Sequence, residues 1–326
     1  MKKHILSAAL LLSLFACKKD KEPAAPVGGS TNNLLYVIED NKFNFSYFNT
    51  ALTVTNLGKS LTAAGPYTVL IPDNSAFQRA GYNSIDMVSQ ESGIVLKNMV
   101  QYHTLNGQWQ LDKLPYRFNQ QITTVAGTQL FVTHWVKNND TIITINGTRV
   151  TAQNMPASNG LIQVINAVMQ PLTQDKISDA VAADPSLTFF NAALQQADMK
   201  TLLRGDGPFT IFAPNNDAFK NAGFPSTDSI RNTDPAVLKN LLQFHILNNR
   251  RFIYDYVLST GDNNITSQTM LNNSTTTVNL LSNGVDYTGI TIQGAGNTTP
   301  CQVLKSNVLA NNGVLHVIDK LLMENF

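Results

Sequence analysis

The stretch "GPYTVLIPDNSAF" occupies residues 65–77, and "GPFTIFAPNNDAF" occupies residues 207–219. The same order of glycine, proline, apolar run, proline, polar pair and Ala-Phe returns 142 positions later. The register continues on both sides. Phe48-Asn49 answers Phe190-Asn191, Leu61 answers Leu203, and Ala80-Gly81 answers Ala222-Gly223. "VLKNMVQYHTLN" (95–106) answers "VLKNLLQFHILN" (237–248), so His103 corresponds to His245. One register held over about sixty residues marks two copies of one domain rather than a short-period solenoid. A last pair of blocks, "SNGLIQVINAVMQP" (158–171) and "NNGVLHVIDKLLM" (311–323), aligns at an offset of 153. The second copy therefore carries extra residues between its histidine and its end. They fall in the Asn/Thr/Ser/Gly-rich region 259–312, a composition that predicts surface loops.

The physical chemistry of these blocks sets the fold class. "YTVLIP" and "FTIFAP" are short β-branched and aromatic runs, read as buried strands ended by Pro72 and Pro214. Asp73-Asn74 and Asn215-Asn216 are N-cap types and predict a helical turn through Ala76-Phe77 and Ala218-Phe219. Asp234-Pro235 starts another helix, with Val237, Leu238, Leu241, Leu242 and His245 at helical spacing. Val314, Leu315, Val317 and Ile318 read as a central strand after Asn312-Gly313 turn chemistry. Each copy is expected to be α+β, helices early and strands late.

The three blocks, in this order and twice over, resemble the fasciclin domain. Its first signature stands here as "YTVLIPDNSAF" and "FTIFAPNNDAF", its central Tyr-His pair as Tyr102-His103 and Phe244-His245, and its closing block as "GLIQVINAVMQP" and "GVLHVIDKLLM". The resemblance implies two tandem domains, 34–173 and 174–326, each a β-wedge of about seven strands packed with short α-helices. It also implies a non-enzymatic role in adhesion or matrix contact. Three positions depart between the copies: Gln163 stands opposite His316, Asn166 opposite Asp319, and Phe244 opposite Tyr102.

The N-terminus reads as a sorting signal. Lys2 and Lys3 precede an apolar run, Ile5 to Phe15, that is too short to span a bilayer as a helix. Leu14-Phe15-Ala16-Cys17 resembles the lipobox of bacterial lipoproteins, with cleavage after residue 16. The implied product carries diacylglycerol on the Cys17 sulfur and an acylated amine, enough chains for stable anchoring. Residues 17–33 then form a lipidated flexible tether. The expected location is the envelope of a Gram-negative bacterium, as a surface-exposed outer-membrane lipoprotein. With Cys17 lipidated, Cys301 has no intramolecular partner and reads as a small buried hydrophobe.

Composition narrows the partners. Lys and Arg number 23 against 22 acids, and charged residues make up 14 % of the chain, below the roughly 25 % usual in globular proteins. Without Lys2 and Lys3 the mature chain is near neutral, so no nucleic-acid footprint is expected. No metal-binding His-Glu-x-x-His or Cys-x-x-Cys spacing, nucleophile elbow or phosphate loop is present, and no cofactor is expected. The candidate partner-binding residues are Tyr102, His103, Phe244, His245 and Trp135. For the histidines, a helix-end hydrogen bond to backbone is the favoured reading. Trp135, in "LFVTHWVKN", reads either as an exposed stacking residue or as a core or interdomain tryptophan. The partners anticipated are the membrane, through the lipid, and surface or matrix proteins or glycans. The alternative function is a carbohydrate-binding accessory lipoprotein of a glycan-uptake system.

Overall fold

The computed structural model describes residues 31–284 and 286–325. The signal segment 1–16, Cys17 and the tether up to residue 30 lie outside the described residues. No described helix is long and apolar enough to cross a membrane.

Each copy folds around a seven-stranded sheet. The strands of the first are β1 (Tyr67–Pro72), β2 (Thr104–Asn106), β3 (Arg117–Thr123), β4 (Gln129–Lys137), β5 (Asp140–Ile145), β6 (Thr148–Ala157) and β7 (Gly160–Ile165). Their spatial order is β2-β1-β7-β6-β5-β4-β3. The second copy repeats it with β8 (Phe209–Pro214), β9 (Ile246–Leu247), β10 (Ile265–Thr269), β11 (Thr275–Ser282), β12 (Tyr287–Gly294), β13 (Cys301–Ala310) and β14 (Gly313–Ile318). The quoted signature is β1 and β8. Each pairs in parallel with the closing strand of its own copy, Tyr67 opposite Gly160 and Phe209 opposite Gly313. The other ladders are antiparallel, so the result is the expected α+β wedge.

Alternation along β1 divides the core. Val69 and Ile71 face the helices, packing with Phe45, Phe48, Leu52, Phe77 and Leu96. Leu70 faces the other way, into the curl of the sheet with Leu105, Ile122, Leu130, Val132, Ile143 and Ile145. The second copy does the same, Ile211 and Ala213 on one side and Phe212 on the other. Register shifts at Val150/Ala152 and Ala152/Met155 bend β6, and bulges of this kind supply the curl.

Side-chain carboxylates and amides stand in for backbone at the joints. Asp73 Oδ1 accepts from Ala76 N and caps the helix Asn74–Arg79, and Asn215 does so for Asn216–Asn221. The second residue of each pair serves a neighbouring helix: Asn74 accepts from Tyr47 N and donates to Phe43 O, while Asn216 accepts from Phe189 N and donates to Pro185 O. In the hairpin before the closing strand, Asn159 accepts from Leu34 N and donates to Leu61 O and Ala63 O. Asn312 repeats this with Ile177 N, Leu203 O and Gly205 O. The glycine that follows is required by close approach, since a Cβ on Gly160 would sit 2.1 Å from Tyr67 O.

The copies already differ just ahead of the second copy's extra residues. Where the first copy has a single turn of 3-10 helix, Leu111–Lys113, the second has an α-helix, Ile253–Ser259. That helix docks the copies together. Asp255 caps it by accepting from Phe252 N, and the same buried carboxylate accepts from Asn119 Nδ2 and Thr133 Oγ1 of the first copy, at 3.2 and 3.0 Å. Asn119 also donates to Arg250 O. The Arg250 guanidinium lies 3.6 Å from the centre of the Phe131 ring and donates to Asn311 O. Phe131, Phe252 and Val314 form a small apolar cluster across the seam. Gly147 comes so close that a Cβ there would lie 2.8 Å from Phe252 Cβ. The connecting segment is pinned as well, Asn311 binding Gln174 O and Asp175. Residues 174 and 175, between the two copies, are thus tied to the second copy.

Two outcomes are expected. Asn312→Ala strands one N–H and two carbonyls in a buried hairpin and should cost about 2–3 kcal/mol in urea unfolding. Asp255→Ala should separate a single unfolding transition into two, and its cost should be non-additive with Thr133→Val by about 1 kcal/mol. Additive costs with one retained transition would show that Asp255 does not couple the copies.

Candidate functional site

The central histidines are structural clamps. His103 follows the helix Gly93–Tyr102 and is fully buried. Its Nδ1 lies 2.8 Å from Met99 O, and its Nε2 accepts from Met169 N at 3.1 Å. Because Nε2 is an acceptor, the proton of the neutral ring sits on Nδ1. His245 repeats the arrangement, Nδ1 to Leu241 O at 2.8 Å and Leu322 N to Nε2 at 2.9 Å. Each ring ties the end of one helix to the segment that leaves the closing strand. Burial without a charged partner pushes both rings down to about 4, since desolvation disfavours imidazolium.

Tyr102 and Phe244 are buried too. The Tyr102 hydroxyl donates to Gln129 O and accepts from Asn146 Nδ2, and burial raises it to about 12. Phe244 lacks a hydroxyl and packs against Phe212, Tyr256 and Ile292. Tyr102, His103 and His245 are therefore not surface residues, because their rings fill the fold, and Phe244 reaches the surface only as the floor of a groove.

The copy-to-copy departures conserve geometry. His316 is placed to donate from Nε2 to Arg251 O and accepts at Nδ1 from Asn307 N. Gln163 donates to Trp109 O and accepts from Asn154 N, the corresponding loop and bulge positions. Asn166 accepts from Arg149 N as Asp319 accepts from Gln302 N. Cys301 is buried, and burial pushes its thiol up to about 12.

Trp135 is half-buried, its ring 4.6 Å from that of Phe118. Phe118 is in turn 5.4 Å from the Arg251 guanidinium of the second copy, which makes Trp135 part of the seam's flank rather than an isolated platform. Its neighbour His134 points to the other face, buried against Tyr116.

What the clamps do build is a groove beside each of them. In the second copy it runs between the helix Pro235–Gln243 and the segment 321–324, with a volume of about 600 Å³. Phe224, Val237, Leu241, Phe244, Leu322 and Met323 line it. At equivalent positions of the first copy Tyr82, Val95, Met99, Val168 and Gln170 line a groove of about 300 Å³. His245 bonds one residue on each wall, Leu241 and Leu322, and His103 bonds Met99 and Met169, so each clamp sets the separation of its walls. Val237 belongs to the helical apolar set but is 60 % exposed. It borders the groove instead of the core. Sequence reasoning missed both grooves, whose walls lie some seventy residues apart in the first copy and some eighty in the second. The available signal was the exposed edge of that helix pattern.

Comparison with known proteins follows the same blocks. The fasciclin domain model matches residues 43–171 and again 185–324. Transforming growth factor-beta-induced protein ig-h3 of Sus scrofa is 26 % identical over 267 residues, 82 % of this chain and 36 % of that protein. Periostin of Homo sapiens is 25 % identical over 278 residues, 82 % of this chain and 30 % of that protein. The chain thus spans about a third of the length of these curated relatives. A FAS1 domain pair from the insect cell adhesion molecule Fasciclin I is 18 % identical, covers 86 % of this chain and 96 % of that chain, and superposes with a TM-score of 0.41.

The clamps predict a pH dependence. A histidine at about 4 when folded and 6.5 when unfolded binds more protons in the unfolded state. Its contribution is complete above pH 6.5 and is lost as pH falls through 6.5 towards 4. Asp255, raised to about 6 by burial, has the opposite sign between 3.8 and 6, and three histidines outweigh it. The urea midpoint should fall steadily from pH 7 to 4.5. The fall should flatten in His103→Gln and steepen in Asp255→Asn.

Proposed function

The chain belongs to the fasciclin domain family, and from that premise we propose that it is a non-enzymatic adhesion protein that holds its cell to surface or matrix proteins. Membership of the family supports an adhesion-type role. The observation that carries the reading is the pair of grooves on two copies docked through one buried joint. A rigid pair presents two contact sites at a fixed spacing, so engagement of the first raises the effective concentration of the second. A catalyst gains nothing from that arrangement. The imidazoles of His103, His245 and His316 are committed to backbone at both nitrogens, which removes them as general bases. Among the described residues no three His, Cys, Asp or Glu side chains are grouped to hold a metal ion.

In this proposal lipid on Cys17 anchors the protein at the outer membrane of a Gram-negative bacterium, and residues 18–33 let the docked pair reach outward. The near-neutral, amide-rich surface favours short-range polar and apolar contact over long-range steering.

The test is an array carrying matrix proteins and glycans, probed with the chain from residue 31 onward, which contains both domains. Binding to proteins, lost when the seam is opened by Asp255→Ala, is the expected result. Binding confined to glycans and weakened by Trp135→Ala would replace this reading with the glycan-uptake one.

A further inference from the structure

The groove of the second copy differs from that of the first in one charged residue. Glu324 stands where the first copy has Pro171. Its carboxylate is held by two amides, Asn240 Nδ2 to Oε2 at 2.9 Å and Asn272 Nδ2 to Oε1 at 3.0 Å. A carboxylate oriented by two amides has lone pairs left for another donor. Below it the wall is apolar, and the wall itself is fixed. Gly296 N donates to Met323 O, Asn297 Oδ1 accepts from Met323 N, and His245 holds Leu322 from behind.

The groove is also shallow. Val237 is 60 % and Met323 41 % exposed, so a free small molecule would keep much of its surface in water, whereas specific small-molecule pockets bury about 70–90 % of their ligand. A side chain projecting from a protein meets no such penalty, because its own chain covers its other side. We propose that this groove is the docking site for a partner polypeptide segment that inserts one large apolar side chain between Val237, Leu241, Phe244 and Met323 and sets a neighbouring lysine or arginine on Glu324. An aromatic or branched aliphatic anchor fits a volume of about 600 Å³, and buried anchors of this kind dominate interface energetics. The cationic neighbour selects among such segments and fixes their direction. The first-copy groove has half the volume and no carboxylate among its lining residues, so it does not select for a basic neighbour. The proposal rests on the adhesion reading in taking the occupant to be a protein.

A phage-displayed library of random dodecapeptides, selected on the chain from residue 31 onward, tests it. The expected winners carry a large apolar residue within two positions of Lys or Arg. Their affinity should be lost in Val237→Asp, a surface substitution whose fold is checked by thermal unfolding. It should fall about tenfold in Glu324→Gln, become salt-sensitive only with Glu324 present, and stay unchanged in Val95→Asp of the first copy. Peptides that bind Val237→Asp as well as the parent chain, winners without a basic residue, or no enrichment at all would each overturn it. Adhesion to matrix proteins that survives Val237→Asp would sink the groove and spare the adhesion reading. Peptide binding in the groove by a chain that adheres to nothing would do the reverse.

Discussion

In each sheet, second and third from one edge, the first long strand of a copy lies parallel to its last, Tyr67–Pro72 beside Gly160–Ile165 and Phe209–Pro214 beside Gly313–Ile318. This pairing joins residues some ninety to a hundred positions apart, and non-local closure of that kind is entropically costly and slow to form. The remaining architecture is arranged around it. The hairpin partner of the closing strand brings in the rest of the sheet, and the helices lie on the face that Val69 and Ile71 present. Asn159 fixes the point where the closing strand begins. His103 fixes the point just beyond its end, through Met169. A copy without that pairing has no frame for either clamp.

Much of the polar composition is spent holding this frame. With few charges available, the chain uses amides and hydroxyls as substitutes for backbone partners: Asn74, Asn159 and Thr68 in one copy, Asn216, Asn312 and Thr210 in the other. Asparagine also tolerates left-handed backbone better than other side chains. Among the described residues ten non-glycine positions have positive φ, and nine of them are asparagine. Part of the chain's asparagine is internal construction, Asn159 and Asn312 being buried and bonded to backbone. Buried amides of this kind are satisfied in pairs or triplets, which makes them specific as well as stabilising.

The repeat, its register and the α+β class were legible because the blocks that carry them are local and duplicated. The cap at Asp73, the strand 209–214 and the helix after Asp234 follow from short-range rules and stand where those rules put them. The backbone role of His103 and His245 was also legible, since a shared position in two diverged copies is most simply a shared need of the fold. The joint between copies was not. Its residues, Asn119, Phe131 and Thr133 against Arg250, Phe252 and Asp255, come from the stretches where the copies differ, and no periodicity announces that a carboxylate will cap its own helix and bind the other domain at once. Nor was the helix Ile253–Ser259, which starts at the position that answers Leu111, ahead of the region read as loop.

This division has a physical logic. Positions that answer each other across the two copies are those the closing of a sheet demands, and substitution there is tolerated only when geometry survives, as Gln163 for His316 shows. Positions that differ are released from that demand. The second copy uses the release twice, once to build the helix that docks it and once to place Gly296 and Asn297 against Met323 and so fix the outer wall of a larger groove. The same divergence that joins the domains also makes their two exposed grooves unlike. A duplicated fold held together at its unequal parts presents two different exposed grooves in one fixed orientation, and that is a property neither copy has alone.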